Sequence, residues 1–142
     1  MAAKTGNKHG HHWIADIRRL AIYLRDGLAC YWCGAGVEVG AILTLDHLTP
    51  RSRGGGHQSD NLITACIGCN AARGNLTVAK WCVVADKIPR EVRKHAQRKP
   101  EISVAREMLR IRGGLRAAVY HRLKSPPEPS TIPPEPSATD RR

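Results

Sequence analysis

The chain has 142 residues, enough for one domain with a helical extension. Its 23 Lys and Arg against 12 Asp and Glu leave a formal net charge of +11, which points to a polyanionic partner, nucleic acid being the commonest. No stretch approaches the length of a membrane span, the N-terminal residues carry no apolar signal-peptide run, and without a single Phe the core must be a modest one of Ala, Val, Ile and Leu.

Residues 1–12 are polar and basic, with His9, His11 and His12 close together, and read as a disordered tail. From Trp13 the pattern turns helical. Trp13, Ile14, Ile17, Leu20, Ala21 and Leu24 share one face, and Asp16, Arg18, Arg19 and Arg25 lie on the others. The spacing predicts an amphipathic helix over 13–26, with Gly27 at its C-terminal cap. Residues 28–40 carry Cys30 and Cys33 in a Gly-rich turn, and 41–47 read as a core strand that Pro50 prevents from continuing. Residues 51–60 are a loop by composition, 61–64 a second strand, and helix signals cover 67–73. Thr77 caps a further helix bearing Val78, Trp81, Cys82 and Ala85. A basic helical piece covers 91–97, and a longer helix from about Glu101 is interrupted by Gly113-Gly114. The Pro/Ser/Glu-rich residues beyond 125 read as disordered. The organisation expected is thus a tail (1–12), a core unit with its N-terminal helix (13–85), a basic helical extension (86–124) and a second tail (125–142).

Two Cys-x-x-Cys pairs, Cys30/Cys33 and Cys66/Cys69, bracket the strand–loop–strand segment. In a reducing compartment such pairs read as a metal site rather than as disulfides. Four thiolates suit tetrahedral Zn²⁺, which would clasp the start of the unit to its end. A redox role is disfavoured, since no thioredoxin-like βαβ pattern surrounds either pair. Cys82, beside Trp81 and without a partner at ligand spacing, reads as a small core residue.

Between the knuckles lie groups suited to phosphodiester hydrolysis, which needs a deprotonated water, a cation on the phosphate and help for the leaving oxygen. His47 is a suitable base near neutral pH. Asp46 and Asn70 offer hard oxygen ligands to Mg²⁺ or another divalent ion, and Asn61 is placed to hold the His47 loop by hydrogen bonds. Neighbouring strand residues point to opposite faces, so Asp46 and His47 reach one centre only if the backbone bends after them. Arg51, Arg53 and the glycines Gly54-Gly55-Gly56 form a basic loop for phosphate, with Arg73 a turn beyond Asn70 as a further contact; His57 reads as a solvated loop residue. Basic residues of the later helices would add salt-dependent grip without base readout.

The array Asp46-His47-x-x-Pro50, Gly54-Gly55, Asn61-Leu62, Cys66-x-x-Cys69-Asn70-x-x-Arg73-Gly74 resembles the HNH endonuclease family in its four-cysteine, zinc-containing branch, over roughly residues 25–76. The resemblance implies an α+β fold: a small ββα-metal (His-Me finger) nuclease core with a structural zinc knuckle, flanked by α-helices. It implies a metal-dependent endonuclease that nicks or cuts double-stranded DNA, with His47 as general base, Asp46 and Asn70 on the divalent ion, and Asn61 orienting the His47 loop. The products would carry 5′-phosphate and 3′-hydroxyl ends. Family members often have histidine at the position of Asn70 and lysine at that of Arg73. The setting expected is the cytoplasm of a bacterial or phage-infected cell, with a partner protein from phage packaging, restriction or a mobile element. The competing reading is a zinc-stabilised nucleic-acid-binding module without catalysis; it accounts for zinc and charge but not for Asp46-His47 with Asn70.

Overall fold

The computed structural model describes residues 13–114. The tails expected at 1–12 and 125–142, and the part of the extension beyond 114, lie outside the described residues. The fold is α+β, with five α-helices and one two-stranded sheet among the described residues. Among the described residues no helix is long and apolar enough to cross a membrane.

Strands β1 (Leu43–His47) and β2 (Leu62–Cys66) pair antiparallel, with Leu43 opposite Cys66 and His47 opposite Leu62. Two five-residue strands are marginal by themselves and need cover on their faces. Period-two alternation divides their side chains between two apolar clusters. Leu43, Leu45 and Leu62 pack with Leu20, Ala21 and Ile22 of helix α1 (Asp16–Arg25). Ile63 and Ala65 pack on the opposite side with Trp32, Trp81 and Cys82. Asp46 therefore sits on one side of β1 and His47 on the other. The strands are shifted from the segments expected at 41–47 and 61–64: the bend at Gly40 (φ +84°) delays the first, and Asn61 belongs to a 3₁₀ turn, Ser59–Asn61, rather than to β2.

Helix α1 starts three residues later than its apolar pattern does, because Ala15 is extended (ψ 142°) and ends the helical run there. Its C-terminus closes as expected. Leu28 N donates to Tyr23 O and Gly27 N to Leu24 O, with Gly27 at φ +81°, the double bond pattern of a glycine-terminated helix. Helix α2 (Ile67–Arg73) follows β2 directly, capped by Cys66. Helix α3 (Val78–Ala85) is capped by Thr77, whose side chain accepts from Lys80 N. Helix α4 (Pro89–Ala96) begins two residues before the expected segment, with Pro89 in the first turn, where no amide hydrogen is needed. Helix α5 (Ile102–Arg112) ends at Gly113, φ +76°.

The division expected between 85 and 86 falls inside the packed unit. Val92 and Ala96 share a cluster with Trp81 and Cys82, and Ala105 shares one with Leu20 and Ile22. The α1 arginines also depart from their expected place. Arg19 and Arg25 are buried. Arg19 donates to the Tyr23 hydroxyl, which donates in turn to Leu43 O. Arg25 joins four parts of the fold: it donates to Ser59 O (2.9 Å), Leu62 O (2.7 Å) and Ala96 O (2.8 Å), and pairs with Asp26 (2.7 Å). Asp26, fully buried, also accepts from Thr64 N and faces His95 Nε2 at 2.8 Å. The partly exposed His95 thus links α4 to the end of α1.

Candidate active site

The four cysteines converge. Cys30 Sγ, Cys33 Sγ, Cys66 Sγ and Cys69 Sγ all lie within 4.8 Å of one another, with Cys33 and Cys66 at 3.7 Å. A tetrahedral Zn²⁺ with bonds of about 2.3 Å needs sulfurs about 3.8 Å apart, so the set fits zinc both in donor type and in spacing. The two knuckles use the same local device. Cys33 N donates to Cys30 Sγ and Cys69 N to Cys66 Sγ, each at 3.4 Å, which turns both backbones around the sulfurs. Burial, then the neighbouring Cys66 and Cys30, pushes the Cys69 thiol far above the usual thiol range; a bound cation would reverse that balance. Because Cys66 ends β2 and caps α2, the knuckle fixes the angle between strand and helix.

A cleft of about 330 Å³ opens where β1 ends, lined by Asp46, His47 and Arg51 on one side and by Asn70 and Asn75 on the other. Neighbouring residues of one strand reach it from opposite faces because β1 stops there. Leu48 N still pairs with Asn61 O, and Pro50 then starts a 3₁₀ turn, Arg51–Arg53.

Asn70 enters the cleft from α2. Its Nδ2 donates to Thr44 Oγ1 (2.9 Å) and Leu45 O (3.2 Å). A carbonyl only accepts, and Thr44 Oγ1 already donates to Ala65 O, so the amide orientation is fixed by its partners. Oδ1 is left without a hydrogen-bond partner among the described residues, as an oxygen ligand requires.

Asp46 is 4% exposed and held on both oxygens. Trp32 Nε1 donates to Oδ2 (2.9 Å) and Arg73 Nη1 to Oδ1 (2.7 Å). Burial pushes its carboxyl above the ordinary carboxylate range against the pull of Arg73 and Trp32. Each oxygen keeps a second lone pair, so the donor set still fits a divalent ion.

Arg73 corrects an expectation. It does not face phosphate: its side chain is fully buried, and besides Asp46 it donates to His47 O (2.6 Å) and Leu48 O (2.5 Å). Its guanidinium pins the backbone at the end of β1, which the helical period of α2 alone does not show. Arg73→Ala leaves a buried carboxylate unpaired and should destabilise the domain by about 3–5 kcal/mol. Arg73→Lys should recover only part of that, since one ammonium cannot span three acceptors in the same fork. Urea midpoints measure both; an alanine variant within 0.5 kcal/mol of the parent on the ~1 kcal/mol scale of ordinary substitutions would contradict this role.

Asn61 lies behind the cleft and ties the loop. Oδ1 accepts from Thr49 N (2.8 Å), and Nδ2 donates to Thr49 O (3.2 Å) and Gly56 O (2.8 Å). Gly55 has to be glycine here, since a Cβ would lie 1.7 Å from Thr49 O. Arg51 and Arg53 are exposed at the cleft edge. Arg53 Nε donates to Asn75 O at 3.3 Å.

His57 was expected in solvent and is instead half-buried against His47, with His57 Nδ1 at 3.0 Å from His47 Nε2. Arg51 contacts the same ring. Trp13 covers both imidazoles, its ring centre 5.0 Å from His47 and 4.4 Å from His57, and Arg18 holds His57 O at 2.7 Å. Burial first, then the positive charges of His57, Arg51 and Arg73, lowers the His47 pKa to about 4, so the ring is uncharged at neutral pH, the form that accepts a proton. Only two clues to this packing were present: Trp13 heading the apolar pattern, and an imidazole in a glycine loop.

Residues 30–76 match the HNH endonuclease family model. Two curated proteins are similar to this chain. The CRISPR-associated endonuclease Cas9 of Corynebacterium diphtheriae is 30% identical over 76 residues, 53% of this chain and 7% of its own length. That of Actinomyces naeslundii is 32% identical over 75 residues, 52% of this chain and 7% of its own length. The chain therefore spans a small part of either relative. No solved structure matches it.

Proposed function

We propose that this protein is a metal-dependent endonuclease that hydrolyses phosphodiester bonds of double-stranded DNA, with His47 as general base. The observation that carries this reading is the convergence of Asp46, His47 and Asn70 on one cleft beside a four-thiol knuckle. The match to the HNH endonucleases and the similarity to two proteins named as endonucleases support it. In this reading the four thiolates would hold Zn²⁺, which would do no chemistry, while Asp46 and Asn70 Oδ1 would hold Mg²⁺ or a like ion. That ion, when bound, neutralises charge on the phosphate and on the leaving oxygen.

The chain's own groups do the rest. His47, uncharged and braced by Trp13, takes the proton of the attacking water. Attack at phosphorus with departure of the 3′ oxygen leaves 5′-phosphate and 3′-hydroxyl ends. Arg51 and Arg53, exposed at the rim, hold flanking phosphates. Arg73 and Trp32 keep the Asp46 carboxylate aimed, and Asn61 keeps the loop after His47 closed.

Asn70→Ala tests the metal half of the reading. It removes Oδ1, together with the Nδ2 bonds to Thr44 and Leu45, but leaves every Lys and Arg in place. Cleavage in Mg²⁺ should fall by ~10²-fold or more, while affinity for a duplex stays within about twofold because no phosphate contact is lost. Undiminished cleavage, or a parallel loss of duplex binding, would overturn the assignment of Asn70 as a ligand.

A further inference from the structure

We propose that the outer face of α4 is a second phosphate-binding surface, which takes the backbone of double-stranded DNA away from the cleft. It rests on the nuclease reading only for the identity of the polymer. Val92 and Ala96, four residues apart, are buried and turn one side of α4 into the core. Arg90, Arg93, Lys94 and Gln97 then share the outer side, where they line an open groove of about 590 Å³. None of these cations is in an ion pair among the described residues. The groove is lined by hydrogen-bond donors and, among the described residues, by no carboxylate, thiol or imidazole, so it is built to hold an anion and not to react with it.

The dimensions favour a regular polyanion. Seven residues at 1.5 Å rise place Arg90 and Gln97 about 10 Å apart, close to three base-pair steps of a duplex at 3.4 Å each. Helix α4 lies outside residues 30–76, so the match to the nuclease family assigns nothing to it. It is nevertheless fixed to the cleft. The buried Arg25 guanidinium donates to Ala96 O at the end of α4 and to Ser59 O in the turn that carries Asn61. A duplex seated on α4 is therefore held against a part of the fold that hydrogen bonds of Arg25 and Asn61 join to the loop after His47.

The test is salt-dependent binding, read apart from cleavage. In the full chain carrying His47→Ala, so that substrate survives, affinity for a labelled 30-base-pair duplex is measured by fluorescence anisotropy across a NaCl series. Adding Arg90→Gln, Arg93→Gln and Lys94→Gln should reduce the slope of log K against log salt by about 2.7, three contacts at ~0.9 each, and weaken binding at 0.15 M salt on the order of 10²-fold. A charge-keeping variant, Arg90→Lys with Arg93→Lys and Lys94→Arg, should retain the slope, which separates lost charge from a damaged fold. An unchanged slope in the glutamine variant overturns the proposal, as does an equal loss in both variants. Equal affinity for poly-glutamate, lost in the same way, would overturn the duplex assignment in favour of an acidic protein. Absence of cleavage by the parent chain would overturn the nuclease reading alone and leave this slope measurement as it stands.

Discussion

Cys66→Ser should leave no stable domain at neutral pH: no cooperative melting transition, and none restored by added zinc. The four sulfurs lie within 4.8 Å of one another, too close to be spectators of the fold. Binding of structural Zn²⁺ contributes about 10–16 kcal/mol in small domains, against total stabilities of about 5–15 kcal/mol. Cys66 has two roles at once, since its sulfur also caps α2 by accepting from Cys69 N. A hydroxyl in its place keeps a cap but not the soft anionic ligand. The sheet has only two strands, so apart from the bonds that Asn70 and Arg73 make from α2 to β1 it has little to hold it against α2. A Cys66→Ser protein melting within a few degrees of the parent would refute the structural role of the metal.

Local signals carried far in this chain because each had a local cause. Thr77 caps α3 through a bond three residues on, and Gly27 closes α1 through its own left-handed backbone. The paired Cys-x-x-Cys spacing placed four sulfurs together without any knowledge of the fold. What was not legible is the fate of charge. Helical periodicity puts Arg19 and Arg25 away from the apolar stripe, and Arg73 reads as a phosphate contact, yet all three are buried. Their partners are distant in sequence: Arg25 meets Ala96 O, 71 residues away, and Arg73 meets Asp46, 27 residues away. A buried guanidinium is tolerable only when carboxylates or carbonyls surround it, and no short window can show that they do. The bend expected after His47 has the same character. It is set by Arg73 on His47 O and Leu48 O and by Asn61 on Thr49, so it is made by α2 and by the second half of the loop.

His47→Ala should abolish turnover while leaving the fold intact. The imidazole lies at the cleft edge and is half-exposed, packed mainly against Trp13 and His57, so its removal takes little from either apolar cluster. A positioned base contributes about 10²–10⁴-fold to rate, and no other imidazole among the described residues lines the cleft. His57 is the nearest substitute, but its ring faces Arg51 and His47 rather than the Asp46–Asn70 pair. The most direct test is nicking of supercoiled plasmid by the zinc-loaded chain, with and without added Mg²⁺, parent against His47→Ala. Relaxed or linear product is expected only when the divalent ion is present, with the variant at about 1% of the parent rate or less. A parent that shows no metal-dependent cleavage, or a variant that cleaves as fast as the parent, would contradict a metal-dependent nuclease with His47 as its base.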